Sequence, residues 1–567
     1  MKKGVSLLLV IILLLTSASV FTAENALSRG DANSDGSINL TDATILLQHT
    51  AGIDTGLSEK EIKNLDLNFD GNTDMTDALI MLQYVARLND TYFDTGYLDE
   101  IYGGGAVATV SDTMNIHKLQ GIGVEFDPHF YAPYNPNHTE EDWELIMSRI
   151  KKLGIQSFRV MAVPSYFEPV NDNDDPDTIN WDNLTLDSPQ MKSMKKILDA
   201  AQENDIRVNI TFFCVDVGWL APSGQSYWGQ TPTNLAEFAE NMSILMQYLI
   251  NDMKYTCIKD FTPVNETMNF NPPFPFDYYK QACEEIDARF TKDGIRDKLN
   301  LVLGDDKKST NWFESCAENL KDISDALNVH TYDYEGYTYR NISAYAKKIY
   351  SQADGLPVLV DEFGGTNIDA YHQATTDTYE RGIFYSTIMS AFMNNGFAGM
   401  KHWQFFDQFY YDGPREDALM SIGLFKDVEE GWEVRPFYQA WGLIMKYTRL
   451  DSEVYPITVI EKSETNGKEF ESHTVCGTAF KSPEGEWTYI ITNSDEKKEK
   501  NIKIVNPANI DASLNVHIYS AETVFSEDGT VSDDIIPAQE DKAVNIEDTT
   551  YITLQPMTFA VVTEIED

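Results

Sequence analysis

Two stretches near the N-terminus repeat one another residue by residue, and that repeat leaves few ways to fold. Laid over one another at an offset of 35 residues, 31–48 and 66–83 share a pattern: Asp31, Asn33, Asp35, Gly36, Thr41, Asp42, Ala43, Ile45, Leu47 and Gln48 recur as Asp66, Asn68, Asp70, Gly71, Thr76, Asp77, Ala78, Ile80, Leu82 and Gln83. Each copy sets oxygen ligands at loop positions 1, 3 and 5, glycine at 6, another oxygen at 9 (Asn39, Asp74) and an acid at 12 (Asp42, Asp77). A hard cation requires such a cage of oxygens, and the glycine allows the sharp bend that wraps the loop around it. The acid at 12 is Asp where an EF-hand usually has Glu, and the expected signal cleavage site lies too close to Asp31 for an entering helix. Each copy therefore reads as a calcium loop followed by one helix.

A doubled loop-helix of this kind resembles the dockerin module, with the match running over about 30–88 and the domain expected at 30–90. The resemblance implies two Ca²⁺ ions held by Asp31, Asn33, Asp35, Asn39 and Asp42 and by Asp66, Asn68, Asp70, Asp74 and Asp77. It also implies docking to a cohesin domain of a scaffolding protein, with Leu40, Thr41, Met75 and Thr76 where dockerins carry partner specificity. Residues 91–114, with Gly103, Gly104 and Gly105, read as a linker.

Upstream, residues 1–23 open on Met-Lys-Lys, pass through an apolar run at 5–15 and end in small residues, the pattern of a secretory signal peptide. That run falls well short of the ~20 residues that span a bilayer. The expectation is a secreted, extracellular protein held at a cell surface or in a cellulosome. With 43 Lys plus Arg against 90 Asp plus Glu the net charge is −47, which argues against nucleic acid and anionic membranes as partners. Five cysteines without CxxC spacing read as buried thiols. Metalloprotease, nucleophile-elbow, Walker and dinucleotide motifs are all missing from the chain, so its chemistry has to be sought in carboxylates.

From 115 to 449 short apolar runs alternate with amphipathic stretches. Strands are predicted at 121–126, 155–161, 207–213, 258–265, 300–304, 326–330, 357–361 and 398–403, with helices such as 140–153, 191–204, 235–253 and 377–394 between them. Eight strands with intervening helices fit a (β/α)₈ TIM barrel, a doubly wound sheet being the alternative. In a barrel, the polar residues at the C-terminal strand ends face the site. Those ends carry Arg159 on strand two, Asn265 and Glu266 on strand four, His330 and Tyr332 at strand six, Glu362 on strand seven and Trp403 on strand eight. Glu125 follows strand one, and Trp219 and Trp228 lie in the long loop after strand three, where an indole could stack on a sugar ring.

Two glutamates facing each other across a barrel mouth are the minimum equipment for hydrolysing a glycosidic bond. On that reading Arg159 would hold Glu362 ionised, and a less compensated Glu266 would keep its proton longer. The pattern resembles glycoside hydrolase clan A, retaining barrel enzymes with catalytic glutamates on strands four and seven. The resemblance implies acid/base for Glu266 of Val-Asn-Glu, nucleophile for Glu362 of Val-Asp-Glu-Phe-Gly, and a substrate 2-hydroxyl contact for Asn265. His330 and Tyr332 would support the nucleophile side, Trp403 would floor the sugar being cleaved, and no cofactor is implied for catalysis. Thr267 follows Glu266 where many cellulase-like members have Pro, and Phe212-Phe213-Cys214 end strand three where family 5 has His, so the likeness is to the clan.

After 450 alternating apolar residues without helical period predict an antiparallel β-sandwich at 450–567. The expected whole is a multidomain, scaffold-docked endo-β-glycanase, such as a cellulase or mannanase, acting on β-linked plant cell-wall polysaccharide. The alternatives are an exo-acting β-glycosidase of the same clan and a non-catalytic carbohydrate-binding barrel.

Overall fold

The computed structural model describes residues 30–86 and 105–566 apart from 34, 36, 59–60, 63–64, 68–72, 222–230, 270–273, 308–309, 370, 464–466, 508–513, 540–541 and 547–548. The expected signal peptide, Asn68, Asp70 and Trp228 lie outside the described residues.

In the N-terminal module, helices Leu40–Thr50 and Met75–Val85 are each started by the loop before them. Asn39 and Asp74 are the N-caps, and Asp42 and Asp77 complete capping boxes by accepting the cap backbone N–H. The repeated sequence thus yields a repeated local structure, closed by a small core of Leu46, Leu65, Leu67 and Met81.

The strands that follow are β1 (Ala106–Val110), β2 (Gly121–Glu125), β3 (Ser157–Ala162), β4 (Arg207–Phe212), β5 (Ile258–Thr262), β6 (Asn300–Lys307), β7 (Ala326–Thr331), β8 (Val358–Phe363) and β9 (Gly399–His402). Strands β2 to β9 close into a parallel eight-stranded barrel. Burial on both faces explains why they read as near-continuous apolar runs. The outer helices carry the expected punctuation. Helix Glu140–Leu153 begins at Thr139 in a capping box with Asp142 and stops at Gly154 in the left-handed region, where a Cβ would come within 2.9 Å of the Lys446 backbone.

Two helices depart from amphipathicity. Glu380–Met393 and Pro436–Thr448 are buried on nearly every side because a β domain covers their outer faces. Phe480, Ile490, Tyr519, Phe559 and Val561 of that domain join the core cluster of the barrel. Gly382 is needed there, since a Cβ would strike the Tyr519 hydroxyl at 2.3 Å.

The β domain is mostly antiparallel and folds into two layers. The long strand Glu453–Lys462 pairs with Val475–Lys481 through its first half and with β1 through its second. Here the structure corrects the expected linker at 91–114: residues 106–110 form β1, lying between Glu453–Lys462 and Lys500–Val505. Ala106, Ala108 and Val110 alternate into the domain's core, but such small side chains after three glycines carry little hydrophobic signal. The pairing of β1 with Lys500–Val505 is parallel, a departure from the expected antiparallel sandwich. A strand separated from its partner by the whole barrel sequence is not bound to hairpin geometry.

Candidate active site

At the C-terminal mouth of the barrel a single guanidinium organises the polar groups. Arg159 is fully buried on β3. Its Nη1 donates to Glu125 Oε2 at 2.5 Å and to Glu362 Oε2 at 2.9 Å. Its Nη2 donates to Asn265 Oδ1 at 2.6 Å and to Asp305 Oδ2 at 3.1 Å. Five barrel strands or their ends are thereby tied to one planar cation, whose fixed fork suits bidentate carboxylate contacts.

His330 forms the second hub. Its Nδ1 lies 2.7 Å from Glu266 Oε1 and 3.4 Å from Glu362 Oε2, while its Nε2 lies 2.8 Å from Asp305 Oδ1. Tyr332 donates its hydroxyl to Glu362 Oε1 at 2.5 Å. Trp403, whose backbone N–H binds the Phe363 carbonyl, sets its ring edge-on to Tyr332 at 6.2 Å. One oxygen of Glu266, one of Glu362 and a nitrogen of His330 lie within 4.8 Å of one another.

Irregular register brings these groups together. Pairing shifts between Leu303 and Asp306 in β6, between Val329 and His330 in β7, and between Val360 and Phe363 in β8. Strict alternation would send one of the consecutive residues Asp361 and Glu362 outward. The shift lets both contact interior groups: Asp361 meets Lys401, Asn209 and Asn328, and Glu362 meets Arg159 and Tyr332. Glu266 takes a left-handed backbone, φ +43°, and its N–H is pinned to the Asp305 carbonyl at 3.0 Å. A non-glycine residue held there costs of order 1–3 kcal/mol, a cost typical of sites whose geometry is imposed by surroundings.

Burial dominates the electrostatics. It pushes the Glu362 carboxyl above the ordinary range, with His330 and Arg159 pulling the other way. Arg159 was expected to keep Glu362 ionised, but it is shared with Glu125 and Asp305, so its charge is divided. Burial also drives Glu125 well up and Asp127 to about 6. Burial opposes a charged His330, yet Glu362 and Asp305 overcome it and raise the imidazole well above its usual range. The Glu266–His330–Glu362 trio has the donors of a metal site, and the Arg159 guanidinium lies 2.9 Å from Glu362 beside it.

Arg159, Asn265, Glu266, His330, Tyr332, Glu362 and Trp403 thus form one constellation. Trp219 does not join it by any contact among the described residues: its indole N–H donates to the Glu168 carbonyl at 3.3 Å and the ring packs on the barrel core. Asp305 was missed, because β6 was predicted to stop at Gly304, one residue short of it. Reading one residue further along that strand end was the available signal.

Beside the carboxylates a cavity of about 480 Å³ is lined by His129, Tyr134, Tyr166, Phe213, Tyr410 and Tyr411 among others. Tyr410 connects it to the site, because its hydroxyl donates to Asp127, two residues from Glu125.

Residues 29–86 match the family model described as "Dockerin type I domain", and this segment is a dockerin of that type. No curated protein matches the chain. Among solved structures, SrfJ from Salmonella typhimurium aligns with a TM-score of 0.57 at 13% identity, over 81% of this chain and 93% of that one. The catalytic domain of GH30 xylanase C from Talaromyces cellulolyticus aligns at 0.56 and 10% identity, over 81% and 99%. The GH51 arabinofuranosidase from Xanthomonas axonopodis pv. citri aligns at 0.55 and 12% identity, over 81% and 99%. At such identities the likeness is one of fold: the barrel with its β domain is built as in these structures.

Proposed function

We propose that this chain is a secreted, scaffold-docked retaining glycoside hydrolase that cleaves a neutral, β-linked plant cell-wall polysaccharide. The observation that carries the reading is the pair Glu266 and Glu362, on the ends of the fourth and seventh barrel strands, with one carboxylate oxygen of each within 4.8 Å of the other. Retaining enzymes separate their carboxyl groups by about 5–5.5 Å, whereas inverting enzymes need about 6.5–9.5 Å to admit a water. The relatives in fold support the class, one being a GH30 xylanase and another a GH51 arabinofuranosidase.

Glu362 is the nucleophile: it accepts from Arg159 and Tyr332 and is the less exposed of the two, 5% against 12% for the Glu266 side chain. Glu266 is the acid/base, within hydrogen-bond distance of His330 Nδ1. In the first step Glu362 attacks the anomeric carbon while Glu266 protonates the departing oxygen. In the second, Glu266 takes a proton from water as that water displaces Glu362. Tyrosine rings of the neighbouring cavity suit the apolar faces of a sugar.

The dockerin provides location rather than chemistry. Its all-oxygen donor set fits Ca²⁺, and Asp31, Asp42 and Asp77 are buried together with no sulfur or imidazole in the pattern. Calcium-held loops would order the two helices for a cohesin on a scaffolding protein. No helix among the described residues is long and apolar enough to cross a membrane.

The deciding experiment is hydrolysis of a panel of cellulose, mannan, xylan and xyloglucan with NMR of the first-formed anomer. Polymer cleavage with retention is expected. An inverted product would refute the nucleophile, and activity confined to aryl glycosides would replace an endo-acting enzyme by an exo-acting one.

A further inference from the structure

The cavity beside the carboxylates does not end at its own wall. A second cavity of about 230 Å³ adjoins it, and Tyr134, Tyr411 and Asp412 line both. Its other walls come from the loops that follow β2 and β9, residues 133–138 and 409–413, together with 427–429. The two loops are fastened to one another. Asn135, 5% exposed, donates from Nδ2 to the His129 and Phe409 carbonyls at 3.1 and 3.0 Å and accepts the Phe409 N–H at 3.1 Å. The trough therefore stands before any ligand arrives, which spares the ligand the cost of ordering it.

Tyr411, on the ridge between the cavities, is the informative residue. It is 39% exposed, yet its hydroxyl donates to the Asp417 carbonyl at 2.8 Å and its ring meets that of Tyr371 at 6.1 Å. Gly413 leaves room for the ring where a Cβ would come within 2.7 Å of it. A loose exposed tyrosine needs no explanation, whereas one held open in a fixed place is a preformed platform for a flat apolar face. Asp412, exposed beside it, offers a carboxylate that makes no hydrogen bond or ion pair among the described residues.

The charge of the trough selects as well. No lysine or arginine lines either cavity among the described residues. Arg415 nearby is spent in a fork on Asp427, at 2.7 and 2.8 Å, and on Glu429 at 3.0 Å. Burial holds the His129 imidazole down to about 4, so it adds no cation. A chain bearing carboxylates would meet repulsion there, while an uncharged ring would meet a stacking face and acceptors for its hydroxyls. The trough also has a side. Its wall continues from Tyr410 through Asp127 and Glu125 to Arg159 and Glu362, the proposed nucleophile.

We propose that the second cavity, with Tyr411 as platform and Asp412 as hydroxyl acceptor, is a distal subsite holding further uncharged units of the glycan on the side of the sugar that Glu362 attacks. This subsite presupposes the hydrolase reading above and adds to it how the chain is gripped. A chain held past the first cavity is cut at an internal bond, which disfavours clipping single sugars from the non-reducing end.

The test uses the full chain and nitrophenyl β-glycosides of cello-, manno- and xylo-oligosaccharides of increasing length. Nothing but the nitrophenyl group lies beyond the cleaved bond, so any gain in kcat/KM with length comes from the side Glu362 attacks. A gain of about tenfold or more is expected, flattened in Tyr411→Ala and largely kept in Tyr411→Phe, which retains the ring. Both variants lose the bond to Asp417, so an equal loss in the two would mark a loosened loop and overturn the platform. So would a gain that persists in Tyr411→Ala, or no gain with length. Should no glycoside be hydrolysed, the hydrolase reading falls, and affinity electrophoresis in gels cast with neutral β-glucan, mannan or xylan decides the subsite by itself. Retardation lost in Tyr411→Ala supports it there, and equal retardation of both proteins, or none, overturns it. Retardation by polygalacturonate would refute the uncharged class.

Discussion

The dockerin loops and the barrel mouth both crowd carboxylates together, and they resolve the crowding by opposite routes. In the loops the acids are neighbours in sequence and local hydrogen bonds gather them: the Asp35 N–H binds Asp31 at 3.1 Å, and the Asn39 N–H binds Asp42 at 2.8 Å. Their counter-charge, on the reading proposed above, arrives from solution. In the barrel, Glu125, Glu266, Asp305, Asp361 and Glu362 come from strands far apart in sequence and are met by Arg159, His330 and Lys401 of the same chain. A region compensated by a free ion answers to calcium concentration, whereas one compensated by its own side chains answers to mutation and pH.

Breaking the barrel half should have the largest effect. Glu362→Ala should lower polysaccharide hydrolysis by on the order of 10⁴-fold or more, since no glycosyl-enzyme can form. Glu266→Ala should lose about 10²–10⁴-fold on polymer while keeping much of its rate of aryl release, where the leaving group needs no proton. Steady-state rates on both substrates separate the roles, and swapped behaviour would reverse the assignment.

Breaking the dockerin half should leave those rates alone. Asp31→Ala with Asp66→Ala should abolish cohesin binding by calorimetry, if the loops fold around calcium as proposed. Hydrolysis of soluble polymer should stay within about twofold, as expected for distant, independent sites. A parallel loss of both activities would show that the halves are not independent.

A third test concerns the boundary between them. Truncation up to Gly105 should leave the melting temperature of the barrel unchanged. Removing five more residues takes out β1 with Ala106, Ala108 and Val110, and should cost about 3 kcal/mol or more in lost burial and ladder hydrogen bonds. Equal stability of the two truncations would make 106–110 a linker after all.

The smallest effect sharpens the electrostatic side. Arg159→Lys cannot serve Glu125, Asn265, Asp305 and Glu362 together, so Glu362 should lose part of its stabilising charge. A carboxyl that loses a cation ionises at higher pH. The acid limb of the rate profile, already raised by burial, should therefore move further up. Asp305→Asn removes a carboxylate that favours the His330 imidazolium, so the His330 pKa should fall, with a loss of about tenfold or less in rate. A pH–rate profile of each variant checks the direction, and an unmoved acid limb in Arg159→Lys would mean that Arg159 only positions.

How legible each region was follows from the range of its interactions. The N-terminal repeat was legible as two loop-helix units because bend and helix cap are set within a dozen neighbours. The barrel was legible as a series of buried strands, and its strand ends pointed to Arg159, Glu266, His330 and Glu362, since C-terminal ends face one mouth by topology alone. Asp305 escaped because a shift in strand pairing, set by the partner strand, carries β6 beyond its apolar run. Strand β1 escaped for a related reason: although Val107, Thr109 and Val110 favour extended backbone, its inward positions Ala106, Ala108 and Val110 are too small to mark a buried face, and the sheet that accepts them makes them a strand. Local chemistry and hydrophobic period, present in the amino-acid order itself, determined the dockerin, the barrel and the two glutamates. Tertiary structure decided which cation each carboxylate shares and which backbone slips in register, because those depend on distances between residues that the chain brings together only when folded.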